Sequence, residues 1–504
     1  MSAEAGDDLA EHTDVRTIRL LLVVSIALIT FVAFEALAVA TAMPTVSRAL
    51  DGGQLYALAY GITLATQVAT TTAAGRWCDA GGTRAALVTG IVTFITGLAL
   101  AGLAPDMWLL VLGRAVQGVG GALVIVPLYV LVGTVVPARR RPGFFAAFSA
   151  AWVVPSLVGP LLAGFLADHV SWRWVFLGIA AVAVPAMFLV LAVFARLRRD
   201  EAAARAAAPN VPDVPRARPV STPGEQRGSA PGERRGSAPG DRGGSAILVA
   251  VGAGTGAALL QSAGSAPGEG VGLTASDWIL LGLGTLVLLA CLPRLLPGGA
   301  LRLRARVPAL VTGRALLNGA YVATQVYLVL LLQEQHGWDA MSAGSVLTVG
   351  SLSWGAASVV AARVRTEATR ARLPWIGSSM LAAGIAVAIP TSWPDVPAWL
   401  TIVSWVVAGG GIGLAMSSSS VLALGWTPRA RQGEVSAHLQ IADALGPAVL
   451  VALTGVAVAV APPGALGQVP YVAALGIGLV LALLSATASY RSQGDRSTLA
   501  TSPA

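Results

Sequence analysis

Residues 75–84 read GRWCDAGGTR and lie between two apolar runs. Gly75 and Gly82 allow a tight turn and the close approach of helices. Asp79 lies between them, and a carboxylate is favoured where it faces a helix N-terminus. Arg84 follows at the start of the next apolar run, and we expect it to reach acidic groups or carbonyls of a neighbouring helix. The stretch therefore predicts a short charged turn between two apolar helices, an arrangement typical of membrane proteins.

The composition of the whole chain also indicates a membrane protein. Of 504 residues, 55% are hydrophobic and 12% are charged, whereas soluble domains are about a quarter charged. The net charge of +8 is accounted for by the Arg residues that cytoplasmic loops accumulate, so we expect no nucleic-acid partner. The cysteines, Cys78 and Cys291, and the histidines form no disulfide framework and have no metal-ligand spacing, so we expect no metal site.

Fourteen apolar segments are long enough to cross a bilayer, for which a helix needs about 20 residues. They are 19–43, 55–75, 84–104, 107–136, 144–167, 174–195, 246–263, 277–297, 307–334, 341–362, 374–391, 397–425, 434–461 and 469–489. The seventh is short and rich in Gly and Ala, and without the seventh and eighth twelve spans remain as an alternative. The loop arginines lie on one side of this topology, apart from Arg48 and Arg173. We therefore expect a multi-pass protein of a bacterial cytoplasmic membrane with both termini cytoplasmic.

These spans divide the chain into six parts. We expect a tail (1–18), a six-helix bundle (19–195), a linker (196–245), two extra helices (246–300), a second six-helix bundle (301–489) and a second tail (490–504). The linker contains the repeat PGEQRGSA, PGERRGSA, PGDRGGSA between residues 223 and 246. Pro, Gly, Ser and charged residues cannot bury a core, so we expect a disordered tether. Binding of a partner or of anionic lipid through its arginines is the alternative.

The fourth and fifth spans contain two further motifs. Residues 111–123 read VLGRAVQGVGGAL, in which Arg114 and Gln117 share a helix face and the glycines allow close packing. Residues 155–164 read PSLVGPLLAG, in which Pro160 bends the helix and Gly159 and Gly164 allow sliding contact. We expect Gly118, Gly120 and Gly121 to lie against a neighbouring helix.

Together the three motifs resemble those of the major facilitator superfamily, and the topology resembles its fourteen-helix drug:proton antiporters. The resemblance implies two six-helix bundles with two additional helices between them. It implies a cytoplasmic gate at Gly75–Arg84, proton transfer linked to Arg114, and antiport from Gly159, Pro160 and Gly164. The second half has no copy of the loop at its equivalent position, around 355–370.

Acidic and basic residues inside the spans are candidates for proton coupling. Glu35 and Arg114 lie roughly 12 and 10 Å from the external ends of their spans, so a pair between them is plausible. A buried carboxylate tends to hold a proton, while a nearby cation favours its charged form. Asp443 and Arg314 also share a depth and are a second candidate pair. Alternatively each serves the inner gate, or Arg314 extends to the interface.

Polar and aromatic side chains within the spans are candidates for a substrate cavity. Aromatic faces bind cations and flat apolar molecules, although packing or lipid contact is the alternative for each tryptophan. The candidates are Gln117, Trp152, Arg314, Asn318, Tyr321, Gln325, Trp354, Trp405 and Gln440.

The sequence therefore predicts a secondary transporter rather than an enzyme. No Gly-rich Lys-Ser/Thr nucleotide loop occurs, and the chain contains no Lys to build one. We expect a monomer without cofactor that uses the proton gradient to export small amphipathic molecules. A uniporter or importer on the same fold, and a membrane sensor or scaffold that uses the linker, are the alternatives.

Overall fold

The computed structural model describes residues 15–136, 144, 147, 151–207, 241–263, 273–428, 431–459 and 468–494. This part of the chain contains fourteen α-helices. They are α1 (Val15–Ala49), α2 (Tyr56–Trp77), α3 (Thr83–Gly102), α4 (Met107–Val135), α5 (Val153–His169), α6 (Arg173–Ala207), α7 (Asp241–Ala263), α8 (Ala275–Leu295), α9 (Val307–Glu334), α10 (Ala340–Arg363), α11 (Glu367–Ala388), α12 (Leu400–Gly425), α13 (Gln432–Ala459) and α14 (Val469–Arg491).

Most of these helices are long and apolar enough to cross a membrane. Among the described residues, 11 stretches meet that standard by length and composition, and one of them, Tyr56–Gly102, contains both α2 and α3. The apolar part of α7, Ile247–Ala263, is shorter. The prediction of an all-α, multi-pass fold is confirmed, while the number of fourteen crossings stays a prediction.

Several helices extend beyond the predicted segment bounds. Helix α1 begins at Val15, inside the predicted tail, and α14 ends at Arg491. Helix α6 continues to Ala207 and α7 begins at Asp241, so both ends of the predicted linker are helical. The end of α6 reads RRDEAAARAA, and Ala, Arg and Glu favour a helix without apolar burial. The linker between 208 and 240 and the tails 1–14 and 495–504 lie outside the described residues.

The helices pack as two halves with a hairpin at the seam. Helices α1–α6 form the first half and α9–α14 the second, with the most extensive packing between α3 and α4 and between α11 and α12. Helix α7 packs on α8 and also on α2 and α13, one from each half. Gln261 of α7 is fully buried, and its Nε2 donates to the carbonyl of Ala448 in α13 at 2.9 Å. The extra hairpin is therefore attached to both halves.

Candidate coupling and substrate site

A buried ion pair lies at the junction of three helices in the first half. Glu35 of α1 and Arg114 of α4 are 4% and 3% exposed, and Nη1 of Arg114 is bonded to Oε1 of Glu35. The same Nη1 donates to Oε1 of Gln117 at 3.0 Å. Nε of Arg114 donates to the carbonyl of Ala59 in α2 at 3.2 Å. The guanidinium therefore has one charged and two neutral acceptors, from α1, α4 and α2.

Glycines of the fourth-span motif allow the approach that this site needs. A Cβ at Gly118 would overlap the carbonyl of Thr63 in α2, and a Cβ at Gly120 would overlap the backbone of Phe94 in α3. Thr63 Oγ1 donates to the carbonyl of Arg114 at 3.1 Å, which fixes α2 against α4. The prediction that Gly121 lies against a neighbouring helix differs from the structure, because a Cβ at Gly121 would come no nearer than 3.9 Å to the Gln67 side chain.

A second ion pair lies in the other half. Arg314 of α9 donates from Nε and Nη2 to the two carboxylate oxygens of Asp443 in α13, each at 2.7 Å. Its Nη1 donates to Oγ of Ser420 at 2.7 Å and to the carbonyl of Met416 at 3.0 Å. Arg314 therefore pairs with Asp443 across the bundle rather than extending to the interface. The two-bond geometry fixes both side chains.

A proline explains the position of Asn318 beside this pair. Pro447 has no amide hydrogen, so the carbonyl of Asp443, four residues earlier in α13, lacks its helical partner. Asn318 Nδ2 donates to that carbonyl at 2.8 Å. The predicted cavity residue Asn318 thus holds α9 against the break in α13.

Three of the predicted aromatic residues form one cluster in the second half. The rings of Tyr321 and Trp405 stack at 5.0 Å and 24°, and Trp354 meets Tyr321 edge-on at 5.6 Å. Trp405 is fully buried, Tyr321 is 4% exposed, and Trp354 is half-buried. Gly350 makes room for the Trp405 indole, which a Cβ there would overlap. We refer to Tyr321, Trp354 and Trp405 as the aromatic cluster.

The remaining predicted cavity residues, Trp152, Gln325 and Gln440, form no described contact with the aromatic cluster. Trp152 precedes α5 and is 43% exposed. Gln440 is exposed and is hydrogen-bonded to Tyr129 of α4, in the other half. Gln325 is buried on α9.

The loop formed by residues 75–84 is built differently from the prediction. Residues Cys78–Gly82 form a short π-helical segment, and Gly81, with a φ of 84°, supplies the left-handed residue of the turn rather than Gly75 or Gly82. Gly82 lies against the Trp77 indole. Arg84 lies over the ring of Phe194 at 5.7 Å, within the first half. Asp79 is exposed, and it forms no hydrogen bond within the described part of the chain.

The two halves contact each other at the opposite end, where α1, α5 and α9 finish. We call it the Asp168 end, because both carboxylate oxygens of Asp168 accept backbone amides from the start of α10. Ala340 N donates at 3.2 Å and Met341 N at 2.9 Å. Arg48 also reaches across, donating from Nη2 to Oε1 of Gln333 at 2.9 Å. A carboxylate at a helix N-terminus is favoured by the helix dipole.

The antiporter-type motif belongs to the same contact. A Cβ at Gly164 would overlap the backbone of Met341, and Gly344 lies against the carbonyl of Pro160. Gly159 has only ordinary contacts, with Phe34 at 3.6 Å. Two of the three motif residues therefore pack α5 against α10 of the other half.

Sequence reasoning missed Asp168 and the cross-half role of Arg48. The sequence places both beyond apolar segments, where charged residues are ordinary. Their partners lie more than 170 positions away, and only the fold brings them together.

A family model for the Major Facilitator Superfamily matches residues 23–400 and 316–504. The chain belongs to this superfamily. It is therefore a multi-pass membrane transporter and not an enzyme, as the sequence predicts.

Relatives within the superfamily include proteins named for efflux. The chain is 30% identical over 146 residues to the multidrug transporter protein MdtP of Bacillus subtilis, covering 29% of this chain and 27% of MdtP. It is 34% identical over 198 residues to the MFS efflux transporter aclA of Aspergillus oryzae, covering 38% and 36%. The aligned parts thus span about a third or less of these relatives.

Solved structures of the superfamily share the fold over nearly the whole chain. An inward-facing bacterial homologue of the lysosomal transporter Spinster has a TM-score of 0.60 at 14% identity, covering 97% of this chain and 100% of the other. The POT family transporter PepTSo has a TM-score of 0.62 at 12% identity, covering 95% and 99%. At these identities the likeness concerns the fold alone.

Proposed function

We propose that this transporter is a proton-coupled antiporter of the fourteen-helix type that exports small amphipathic molecules by alternating access. The observation that carries the proposal is the buried pair of Glu35 and Arg114 at the junction of α1, α2 and α4. Ionisable residues at this depth are costly, and where they occur they usually mark a functional site. The names of the efflux relatives support the direction of transport.

The surroundings of Arg114 suit a carboxylate that gains and loses a proton. When Glu35 is ionised, the ion pair compensates both charges. When Glu35 takes up a proton, Arg114 keeps Oε1 of Gln117 and the carbonyl of Ala59 as acceptors. The guanidinium is therefore solvated by the protein in both protonation states, which lowers the free-energy cost of the switch. A substrate bound beside this junction favours the ionised, paired form of Glu35 and so the release of the proton.

Alternating access follows from the two ends of the molecule. The contact of Asp168 with the start of α10 closes one end. Transport requires that this contact opens while the end with residues 75–84 closes. In the proposed orientation the Asp168 end is external, both termini are cytoplasmic, and the membrane is the bacterial cytoplasmic membrane. The transporter works as a monomer without cofactor, on the proton gradient alone.

Replacement of Glu35 by Gln tests the mechanism in proteoliposomes. We expect export driven by a pH gradient to fall to background, while exchange of labelled for unlabelled substrate survives, because Gln cannot release a proton. Glu334→Gln is the control, because it makes the same change at the last residue of α9, in the second half. There Glu334 accepts a hydrogen bond from the Tyr471 hydroxyl at 2.9 Å. Unchanged pH-driven export in Glu35→Gln would contradict antiport through this residue, whereas wild-type transport that a pH gradient does not drive would favour a uniporter.

A further inference from the structure

Two tyrosines on one face of α2 point toward the second half. Tyr56 donates from its hydroxyl to the carbonyl of Val326 in α9 at 3.0 Å. Tyr60 follows four residues later and so lies on the same face, one turn further along. Helix α2 begins at the Asp168 end, where α9 finishes, so the two helices run in opposite directions. Tyr60 is therefore opposite the part of α9 about one turn before Val326, at Val322 and next to Tyr321.

The other side of Tyr60 borders the first-half ion pair. Its neighbour Ala59 supplies the carbonyl that accepts from Arg114. Tyr60 is within electrostatic range of Arg114 and Glu35 on this side and of Tyr321 on the other. Its phenol therefore lies between the proposed proton site and the aromatic cluster.

The hydroxyl of Tyr60 forms no hydrogen bond to the described residues, and the residue is 8% exposed. By contrast, the hydroxyl of Tyr56, one turn away, is bonded to a carbonyl. The Tyr60 oxygen does not belong to the fully buried side-chain atoms without a partner, so it is accessible to a bound molecule. A bound molecule with a hydrogen-bonding group would supply the partner.

The charged groups near Tyr60 are Glu35 and Arg114, and these two, like Arg314 further along α9 and its partner Asp443, compensate each other. Glu35 is bonded to Arg114, and Asp443 is bonded through two oxygens to Arg314. A cationic ligand would need a carboxylate taken from one of these arginines, and an anionic ligand would need an arginine taken from a carboxylate. Breaking a buried pair in this way is costly. An uncharged ligand leaves both pairs intact.

We propose that Tyr60, together with Tyr321 and Trp354, forms the substrate site, and that this site takes flat, uncharged aromatic molecules with one hydrogen-bonding group. The group bonds to the Tyr60 hydroxyl, while the ring packs on Tyr321 and the half-buried Trp354. This assignment rests on the proposed function and narrows its substrate class. Because Tyr60 also borders Glu35, a molecule bound there is adjacent to the carboxylate that exchanges the proton.

Three probes of one ring size test the substrate class in proteoliposomes of the purified full chain. Naphthalene-2-methanol is uncharged, 2-naphthoate is an anion, and N-methylquinolinium is a cation. We expect pH-driven transport of the uncharged probe, with kcat/KM at least tenfold above that of either charged probe. A preference for the cation or the anion overturns the proposed class. Absence of pH-driven transport of all three, with no proton flux, would instead contradict the proposed function.

Tyr60→Phe tests the residue itself, because it removes the hydroxyl and keeps the ring. We expect KM for the uncharged probe to rise about three- to tenfold, the usual effect of one lost hydrogen bond, with little change in kcat. Tyr56→Phe is the matched control, which loses a hydroxyl from the same helix face, and its KM should stay that of the wild type. An unchanged KM in Tyr60→Phe, alongside normal wild-type transport, overturns the assignment. Trp354→Leu provides an independent variant, whose KM for the uncharged probe should also rise.

Discussion

The two buried arginines have different surroundings, and the difference separates their roles. Arg114 has a single bond to its carboxylate and two neutral acceptors. Arg314 holds Asp443 with two parallel bonds, and the Asp443 side chain is 23% exposed. Two charge-assisted bonds hold both side chains in one geometry. In the proposed mechanism Glu35 exchanges the proton and Arg314 and Asp443 join α9 to α13, while a part of Asp443 in coupling stays a prediction.

Arg314→Ala should destabilise the protein because it leaves Asp443 charged and poorly compensated. We expect a loss of about 2 kcal/mol in the free energy of unfolding, below the cost for a fully buried pair because Asp443 is partly exposed. Thermal unfolding in detergent measures the change. The double variant Arg314→Ala, Asp443→Asn should recover part of it, and equal losses in the single and double variants would contradict a role for the pair in stability.

The packing of α5 against α10 determines how the Asp168 end closes. Gly164 brings the two helix backbones into contact, and Asp168, four residues later on the same helix, then reaches the amides of Ala340 and Met341. Because these helices belong to different halves, the proposed alternating access requires that the contact forms and breaks in each transport cycle. Its strength therefore shifts the balance between the two conformations.

Gly164→Ala should open the Asp168 end, because the added methyl group overlaps the Met341 backbone. A cysteine at position 333, in a chain whose Cys78 and Cys291 are replaced by serine, reports the change through its rate of labelling by an impermeant maleimide. We expect the rate to rise severalfold. Gly159→Ala is the matched control, since a Cβ there makes ordinary contacts, and similar labelling of both variants would contradict the packing argument.

At the scale of the whole molecule, the α7–α8 hairpin joins the two halves where they must move. Helix α7 contacts α2 and α13, and Gln261 bonds to Ala448 beside Gly61. The residues between α6 and α7, 208–240, include most of the charged repeat. The hairpin itself is attached by packing, so the connection need only be long enough to span the distance.

Replacement of residues 208–240 by a Gly-Ser segment of equal length tests whether the repeat acts in transport. We expect KM and kcat in proteoliposomes within about twofold of the wild type, because a flexible tether of the same length preserves the reach. A loss of transport with intact thermal stability would assign a function to the repeat.

Much of the fold could be predicted because each helix is a local feature of the sequence. Apolar runs of about 20 residues determine the helices in a membrane, and depth from a common end was enough to pair Glu35 with Arg114. The bounds were less predictable, as α6 and α7 extend into polar sequence that favours a helix. The role of each glycine was harder to predict. In the 75–84 loop, for example, Gly81 rather than Gly82 adopts the positive φ.

The sequence by itself determined the family and the helical order and indicated the two ion pairs as candidates, since apolar length, charge depth and short motifs are all local. The tertiary structure alone decided which surfaces meet across the halves. Three of these meetings join positions more than 50 residues apart. They are the bond of Asp168 to α10, the bond of Gln261 to α13, and the position of Tyr60 near both Arg114 and Tyr321. Such contacts depend on the rotation and offset of packed helices, which side-chain shape at many positions determines together.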